Sequence, residues 1–200
     1  MRVYIFGCNG GMGRRYRAIL EHLGHEWMGE DLSQDRKGSV DDADAVIVAT
    51  PTPTHGQVLD RLLSCGKPIL CEKPIMTDME ALRALLADAV ISGTRLQMVS
   101  QYDYLIDPKS TGPSWYRYFK TGPDGLPWDC LQIIALAKDG CEVSDKSPVW
   151  DCGINGKRLD LRLMDQAYVA MIRDWLQAPR NDISRILEAH EKVIAWQQKS

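Results

Sequence analysis

The chain reads as an α/β protein, with a Rossmann-type, doubly wound parallel sheet over residues 1–105 and a reduced α+β part over residues 106–200. Three observations predict it. An apolar run, Val3 to Phe6, breaks into glycines at Gly7, Gly10 and Gly13 and then enters a helical pattern. Apolar stretches of strand length go on alternating with amphipathic stretches of helix length up to Ser100. From Tyr102 onward the alternation lapses, and Gly112 to Gly125 is rich in Gly, Pro and aromatic residues.

After the first strand, Met12, Tyr16, Ile19, Leu20 and Leu23 recur at helical spacing. His25 to Met28 reads as a short second strand ending at Gly29, Glu30 and Asp31. Ala43 to Ala49 is a buried strand that runs into Thr50-Pro51-Thr52-Pro53-Thr54-His55, where prolines set the loop path and start a helix carrying Val58, Leu59, Leu62 and Leu63. The strand Pro68 to Cys71 leads through Glu72-Lys73-Pro74 to a helix with Leu82, Leu85, Leu86, Ala89 and Val90 on one face, and Arg95 to Ser100 is a further strand. In the second part, Pro127 starts a helix through Leu136, and Val149 to Leu161 forms a hairpin turning at Asn155-Gly156. One helix then carries Leu161, Met164, Tyr168, Met171 and Trp175. A last one, begun by Asp182 and carrying Ile183, Ile186, Leu187, His190 and Ile194, is expected to pack back on the body.

Composition narrows the function classes. A net charge of −3 with no run of Lys or Arg argues against a nucleic-acid or membrane surface as partner. No stretch reaches the roughly 18 apolar residues of a membrane span. The first residues run straight into a strand, so neither a signal nor a transit peptide is expected, and the expected location is cytoplasmic. Cys8, Cys65, Cys71, Cys130, Cys141 and Cys152 form no C-x-x-C pair, and the four histidines do not fall near them in metal-ligand spacing. No metal site is expected, and the thiols are expected to be reduced, several of them packed as small hydrophobes.

Glycines at these positions have a physical use. One permits a tight turn after the strand, the next lets an anion approach the backbone, and the last lets the helix pack close, its free N–H groups aimed at a pyrophosphate. Candidate cofactor contacts are therefore Gly7, Cys8, Asn9, Gly10, Gly11, Met12 and Gly13, with Thr50, Pro51, Thr52, His55, Glu72 and Lys73 at later strand ends. Glu30 or Asp31, roughly 20 residues beyond the glycines, could meet a ribose; their acidity favours NAD over NADP. Arg36 and Lys37 follow closely and keep NADP open.

Three motifs stand in order: Gly7 to Arg15, Ala49-Thr50-Pro51-Thr52-Pro53-Thr54-His55, and Cys71-Glu72-Lys73-Pro74. Together they resemble the glucose-fructose oxidoreductase and inositol dehydrogenase (Gfo/Idh/MocA) family over residues 1 to about 105. The resemblance implies an N-terminal domain binding NAD or NADP and a C-terminal open sheet that supplies the substrate face and often a dimer interface. It also implies that Lys73 sits beside the nicotinamide and the substrate hydroxyl, with Glu72 positioning its ammonium and the Lys73-Pro74 peptide commonly cis. His55 resembles the family's loop histidine near the cofactor; the other reading is a surface residue at a helix N-terminus.

The chain also departs from that pattern. Too few residues follow residue 105 for the family's large C-terminal sheet. Asp129 matches the family's catalytic aspartate, but Ile133 stands where a histidine would follow four residues later. His190, on the apolar face of the last helix, reads as a packed core residue. Proton transfer then falls to Lys73, Asp129, Tyr102, Tyr104 or water, with Lys73 first. Tyr102, Trp128 and Gln132 are candidate substrate contacts, and Asp129 and Gln132 have the alternative of decorating the helix after Pro127. Trp115, Tyr116, Tyr118 and Phe119 form either a lid or a core or oligomer interface. The expected function is NAD(P)-dependent hydride transfer to or from a small polyol, sugar or related carbonyl compound. The alternatives are a dinucleotide-binding protein without chemistry, serving as sensor, sequestering protein or assembly subunit, and a homodimer that completes its site from two chains.

Overall fold

The computed structural model describes residues 1–31, 37–117, 124–144 and 150–197. Arg36, Tyr118, Phe119 and Val149 lie outside them. The chain divides into two compact units, one of residues 1–99 with 172–184 and the other of residues 100–171 with 185–200.

In the first unit, β1 (Arg2–Phe6), β2 (Glu26–Glu30), β3 (Ala45–Val48), β4 (Ile69–Cys71) and β5 (Leu96–Met98) form one sheet in the order β2-β1-β3-β4-β5. Every pairing is parallel. Helices α1 (Gly11–His22), α2 (Thr52–Leu62) and α3 (Met79–Ile91) connect the strands. Val3 to Phe6, Ala45 to Val48 and Ile69 to Cys71 are buried throughout, as a parallel sheet covered on both faces requires. Asp78 caps α3 by accepting from the Glu80 and Ala81 N–H groups at 2.9 and 3.1 Å, a device typically contributing about 1 kcal/mol. The helix buries Leu82, Leu85, Leu86 and Ala89, but Val90, expected on the same face, turns out to solvent.

The second strand ends at Glu30, within the stretch expected; Gly29 pairs with Ile5 where a Cβ would collide with the Ile5 carbonyl, and Glu30 pairs with Phe6. At the opposite edge the Gln97 side chain accepts from the Arg180 N–H at 2.7 Å and donates to Asp182 at 3.3 Å. The Asp182 N–H in turn donates to the Leu96 carbonyl at 3.0 Å.

The second unit holds a mixed sheet in the order β7-β6-β8-β9, made of β6 (Ser114–Arg117), β7 (Cys141–Ser144), β8 (Asp151–Ile154) and β9 (Lys157–Arg158). β6 is parallel to β7 and antiparallel to β8. Neither β6 nor β7 is foreseen from the sequence: four-residue strands of mixed character carry no period. The hairpin between β8 and β9 turns at Asn155 and Gly156, both at positive φ, 50° and 81°. The helix expected from Pro127 is a 3₁₀ turn, Trp128–Cys130, followed by α4 (Leu131–Leu136). The last helices are α5 (Met164–Gln177) and α6 (Ile183–Gln197).

None of the six cysteines is in a disulfide, and Cys8, Cys71, Cys130 and Cys152 are buried. Among the described residues no helix is long and apolar enough to cross a membrane, and no group of three or more His, Cys, Asp or Glu could hold a metal ion.

His190 is fully buried in the second unit. Its Nδ1 lies 2.7 Å from the Ile186 carbonyl, and its ring centroid is 5.6 Å from that of Trp128. Burial pulls its pKa down from 6.5 to about 4. Between those values the unfolded chain binds more protons than the folded one. Stability is therefore full above pH 6.5 and falls as pH drops towards 4, by up to about 3 kcal/mol. Denaturant unfolding across that window reads the slope, and His190→Leu removes it; an unchanged slope in that variant assigns the effect to another group.

Candidate functional site

Parallel strands deliver their carboxyl ends to one edge of the sheet, and the strand order reverses between β1 and β3, where such sheets bind ligands. The Gly7 and Cys8 N–H groups donate to the Glu30 carbonyl at 2.9 and 3.3 Å, and Gly10 N–H donates to Gly7 at 3.1 Å. Gly7 has φ +80°, and a Cβ there would stand 2.7 Å from the Ala49 carbonyl oxygen. A Cβ on Gly13 would collide with the Gly7 carbonyl, so α1 begins directly on the turn. Gly11 faces open space.

No side chain caps α1, and no acidic residue lies in its first turn, so its N-terminus presents backbone donors and a partial positive charge. Across from the turn, the Thr50 Oγ1 is buried without a hydrogen-bond partner. A cradle that only glycine backbone fits, an uncapped helix N-terminus and an orphaned hydroxyl suit a dinucleotide's pyrophosphate.

Around the cradle, Cys8 is buried and Met12 half-buried. Asn9 is held from three sides: its N–H donates to Asp31 Oδ2 at 2.9 Å, Arg17 donates to its side-chain oxygen at 3.0 Å, and Arg14 donates to its carbonyl. Glu30 accepts from the Tyr4 hydroxyl at 3.1 Å and lies 3.7 Å from Arg61. Arg17 and Lys37 both sit over the Trp27 ring, at 4.1 and 4.3 Å.

Pro51 precedes α2 in extended geometry, and Thr52 opens the helix. His55 is turned inward, only 1% exposed, and is not the surface residue its place in the first turn suggests. Its Nε2 lies 2.7 Å from the Thr50 carbonyl, and its Nδ1 lies 3.0 and 3.2 Å from those of Pro74 and Ile75. It braces the loop after β3 against the turn after β4.

Glu72 is buried, and its carboxylate accepts from the Tyr16 hydroxyl at 2.5 Å and from the Lys73 N–H at 3.2 Å. This hold on Lys73 is through its backbone N–H, which the sequence does not indicate. The Lys73-Pro74 peptide is cis. Tyr16 is the residue that sequence reasoning misses: it reads as one member of α1's apolar stripe, while its hydroxyl reaches a strand end 56 positions away.

In the second unit, Tyr102, Trp128 and Gln132 are all buried. Gln132 donates to Gln101 at 2.9 Å and accepts from the Tyr102 N–H at 3.4 Å, and the Trp128 indole donates to Asp124 at 2.7 Å. Burial pushes the Tyr102 phenol well above its ordinary range, with nearby thiol and phenol groups adding to the shift. All three side chains lie in the interior of the second unit, and Asp129, in the 3₁₀ turn, is half-buried.

Residues 13–100 match the model of an oxidoreductase family with an NAD-binding Rossmann fold, GFO_IDH_MocA. An inositol 2-dehydrogenase of Rhizobium meliloti is 42% identical over 67 residues, 34% of this chain and 20% of that protein. Another, from Rhodococcus erythropolis, is 37% identical over 84 residues, 37% of this chain and 24% of that protein. The matched stretch spans a quarter or less of these relatives' length. Among solved structures, a myo-inositol dehydrogenase from Corynebacterium glutamicum aligns with TM-score 0.74 at 15% identity, across 100% of this chain and 96% of that one. The WlbA dehydrogenase from Thermus thermophilus, in complex with NAD and UDP-GlcNAcA, aligns with TM-score 0.67 at 13% identity, across 100% and 95%. At such identities the likeness is one of fold.

The cradle's sterics set an expected contrast. Gly13→Ala destabilises the protein by about 1–3 kcal/mol, because backbone must move to admit the methyl group. Gly11→Ala, facing open space, stays within about 0.5 kcal/mol of the parent. Thermal unfolding of the two variants side by side checks the difference.

Proposed function

We propose that this chain, whose residues 13–100 match the Gfo/Idh/MocA oxidoreductase family, is an NAD(P)-dependent oxidoreductase acting on a small polyol, sugar or related carbonyl compound. The observation that carries the reading is the delivery of the Gly7–Gly13 turn, Thr50 and Lys73 to the same edge of one parallel sheet, by the ends of β1, β3 and β4.

A bound nicotinamide dinucleotide supplies the hydride acceptor or donor. The chain's own groups do the rest. The Gly7–Gly13 backbone and the first turn of α1 hold the pyrophosphate, and Thr50 offers its unpaired hydroxyl. Asp31, already fixed to the Asn9 N–H, accepts from the adenosine ribose; with Glu30 beside it, it disfavours a 2′-phosphate, which makes NAD the preferred cofactor. Lys73 holds the substrate oxygen and moves the proton at its Nζ: it takes the proton as a hydroxyl becomes a carbonyl and returns it in the other direction. Asp129 is the second proposed proton-transfer residue.

Calorimetric titration with NAD, NADH, NADP and NADPH tests this. Binding of NAD and NADH at least about tenfold tighter than of the phosphorylated pair is expected, and Asp31→Ala narrows the gap. Binding of none of the four overturns the reading. In a screen of polyols and sugars, Lys73→Ala lowers turnover by about 100-fold or more while cofactor affinity stays within about threefold. Unchanged turnover in that variant removes Lys73 from the chemistry.

A further inference from the structure

Tyr16 has more than packing to explain. It lies on α1 three residues after Gly13, fully buried, in a stripe with Ile19 and Leu20 that needs only apolar surface. A phenylalanine would fill that place. Its hydroxyl instead donates at 2.5 Å to Glu72, itself 8% exposed. A buried carboxylate is costly to leave unpaired, and hydrogen bonds to ionised oxygens are the strong ones. The other carboxylate oxygen accepts from the Lys73 N–H at 3.2 Å, and the Glu72 N–H is tied to the Val48 carbonyl at 2.9 Å. One side chain thus links the helix whose N-terminus faces the dinucleotide cradle to the backbone that carries the proposed proton-transfer lysine.

We infer that Tyr16 is a positioning residue which, through Glu72, registers Lys73 to the dinucleotide held at the start of α1. This rests on the cofactor reading above. The chemistry requires such a device. Lys73 follows a strand end, and a displacement of about 1 Å at a reacting group can cost on the order of 100-fold in rate. His55 fixes the turn from the Pro74 side, and Tyr16 and Glu72 fix it from the side of α1.

The test uses the full chain, with Tyr16→Phe, Glu72→Gln and the double variant. NADH is the probe, and its affinity is read by fluorescence. Acylation of Lys73 by acetic anhydride is followed by mass spectrometry with and without saturating NADH. Tyr16→Phe binds NADH within about threefold of the parent, because it leaves every proposed cofactor contact in place. Bound NADH slows Lys73 acylation in the parent by about fivefold or more, and in Tyr16→Phe by less than about twofold. The double variant loses no more protection than the worse single one, as expected for two groups acting through one link. If the parent does not bind NADH, the cofactor reading falls and this inference with it. If the parent binds NADH but Tyr16→Phe keeps full protection and loses only melting temperature, Tyr16 is a packing residue and the coupling alone is overturned. If Tyr16→Phe does not fold, Glu72→Gln decides the matter on the same thresholds.

Discussion

Three backbone segments meet at the carboxyl edge of the first sheet with no space for a side chain between them. The Gly7 turn lies against the Ala49 carbonyl, and the start of α1 at Gly13 lies against the Gly7 carbonyl. Replacing either glycine forces backbone rather than a flexible side chain to yield, which is the costly way for a packed interior to adapt. The direction of α1 over the sheet follows from that contact, and with it the aim of its N-terminal donors and the reach of Tyr16 to Glu72. Gly29 repeats the device on the neighbouring strand, where its missing Cβ lets β2 run close to Ile5 and Cys8. The result is a binding edge built mainly of main chain, with few side chains committed to it.

That economy explains what could be read from the residues alone. Steric necessity writes itself into residue type, so the glycine turn, the buried strand Ala45–Val48 and the Asn155-Gly156 hairpin are all visible in one sequence. Partnerships between side chains and distant backbone leave no such mark. His55 meets oxygens of Thr50, Pro74 and Ile75, and any residue has a carbonyl to offer. Tyr16 looks like an ordinary member of an amphipathic stripe because its ring is one; only its terminal oxygen does something else. Gln132, a candidate substrate contact by its place after Asp129, is one half of an internal amide pair, which a short apolar helix such as α4 conceals.

The second unit is small, and it keeps several polar groups inside. Gln101 with Gln132, Asn155 with Ser114, and His190 with the Ile186 carbonyl are each buried and each supplied with a partner. Such pairs fix one arrangement of the chain more strictly than apolar contacts do, since a misplaced partner leaves a polar group stranded at a cost of about 1–3 kcal/mol. Four short strands, β9 only two residues long, leave little continuous apolar surface to set the register, and these internal hydrogen bonds supply part of that instruction.

The outer strands of the parallel sheet are each partnered at one point by the chain itself. On β2, Gly29 and Lys37 exchange backbone hydrogen bonds at 2.9 and 2.8 Å; on β5, the Leu96 carbonyl is taken by Asp182 and the Gln97 side chain by Arg180 and Asp182. In the other sheet, β9 ends in two exposed cations, Lys157 and Arg158, which an added strand would have to desolvate. A foreign β-strand approaching these rails meets partners already engaged or charges that repel it. During synthesis and in concentrated solution, the molecule is thereby guarded at these edges against the strand-by-strand growth that turns open sheets into aggregates.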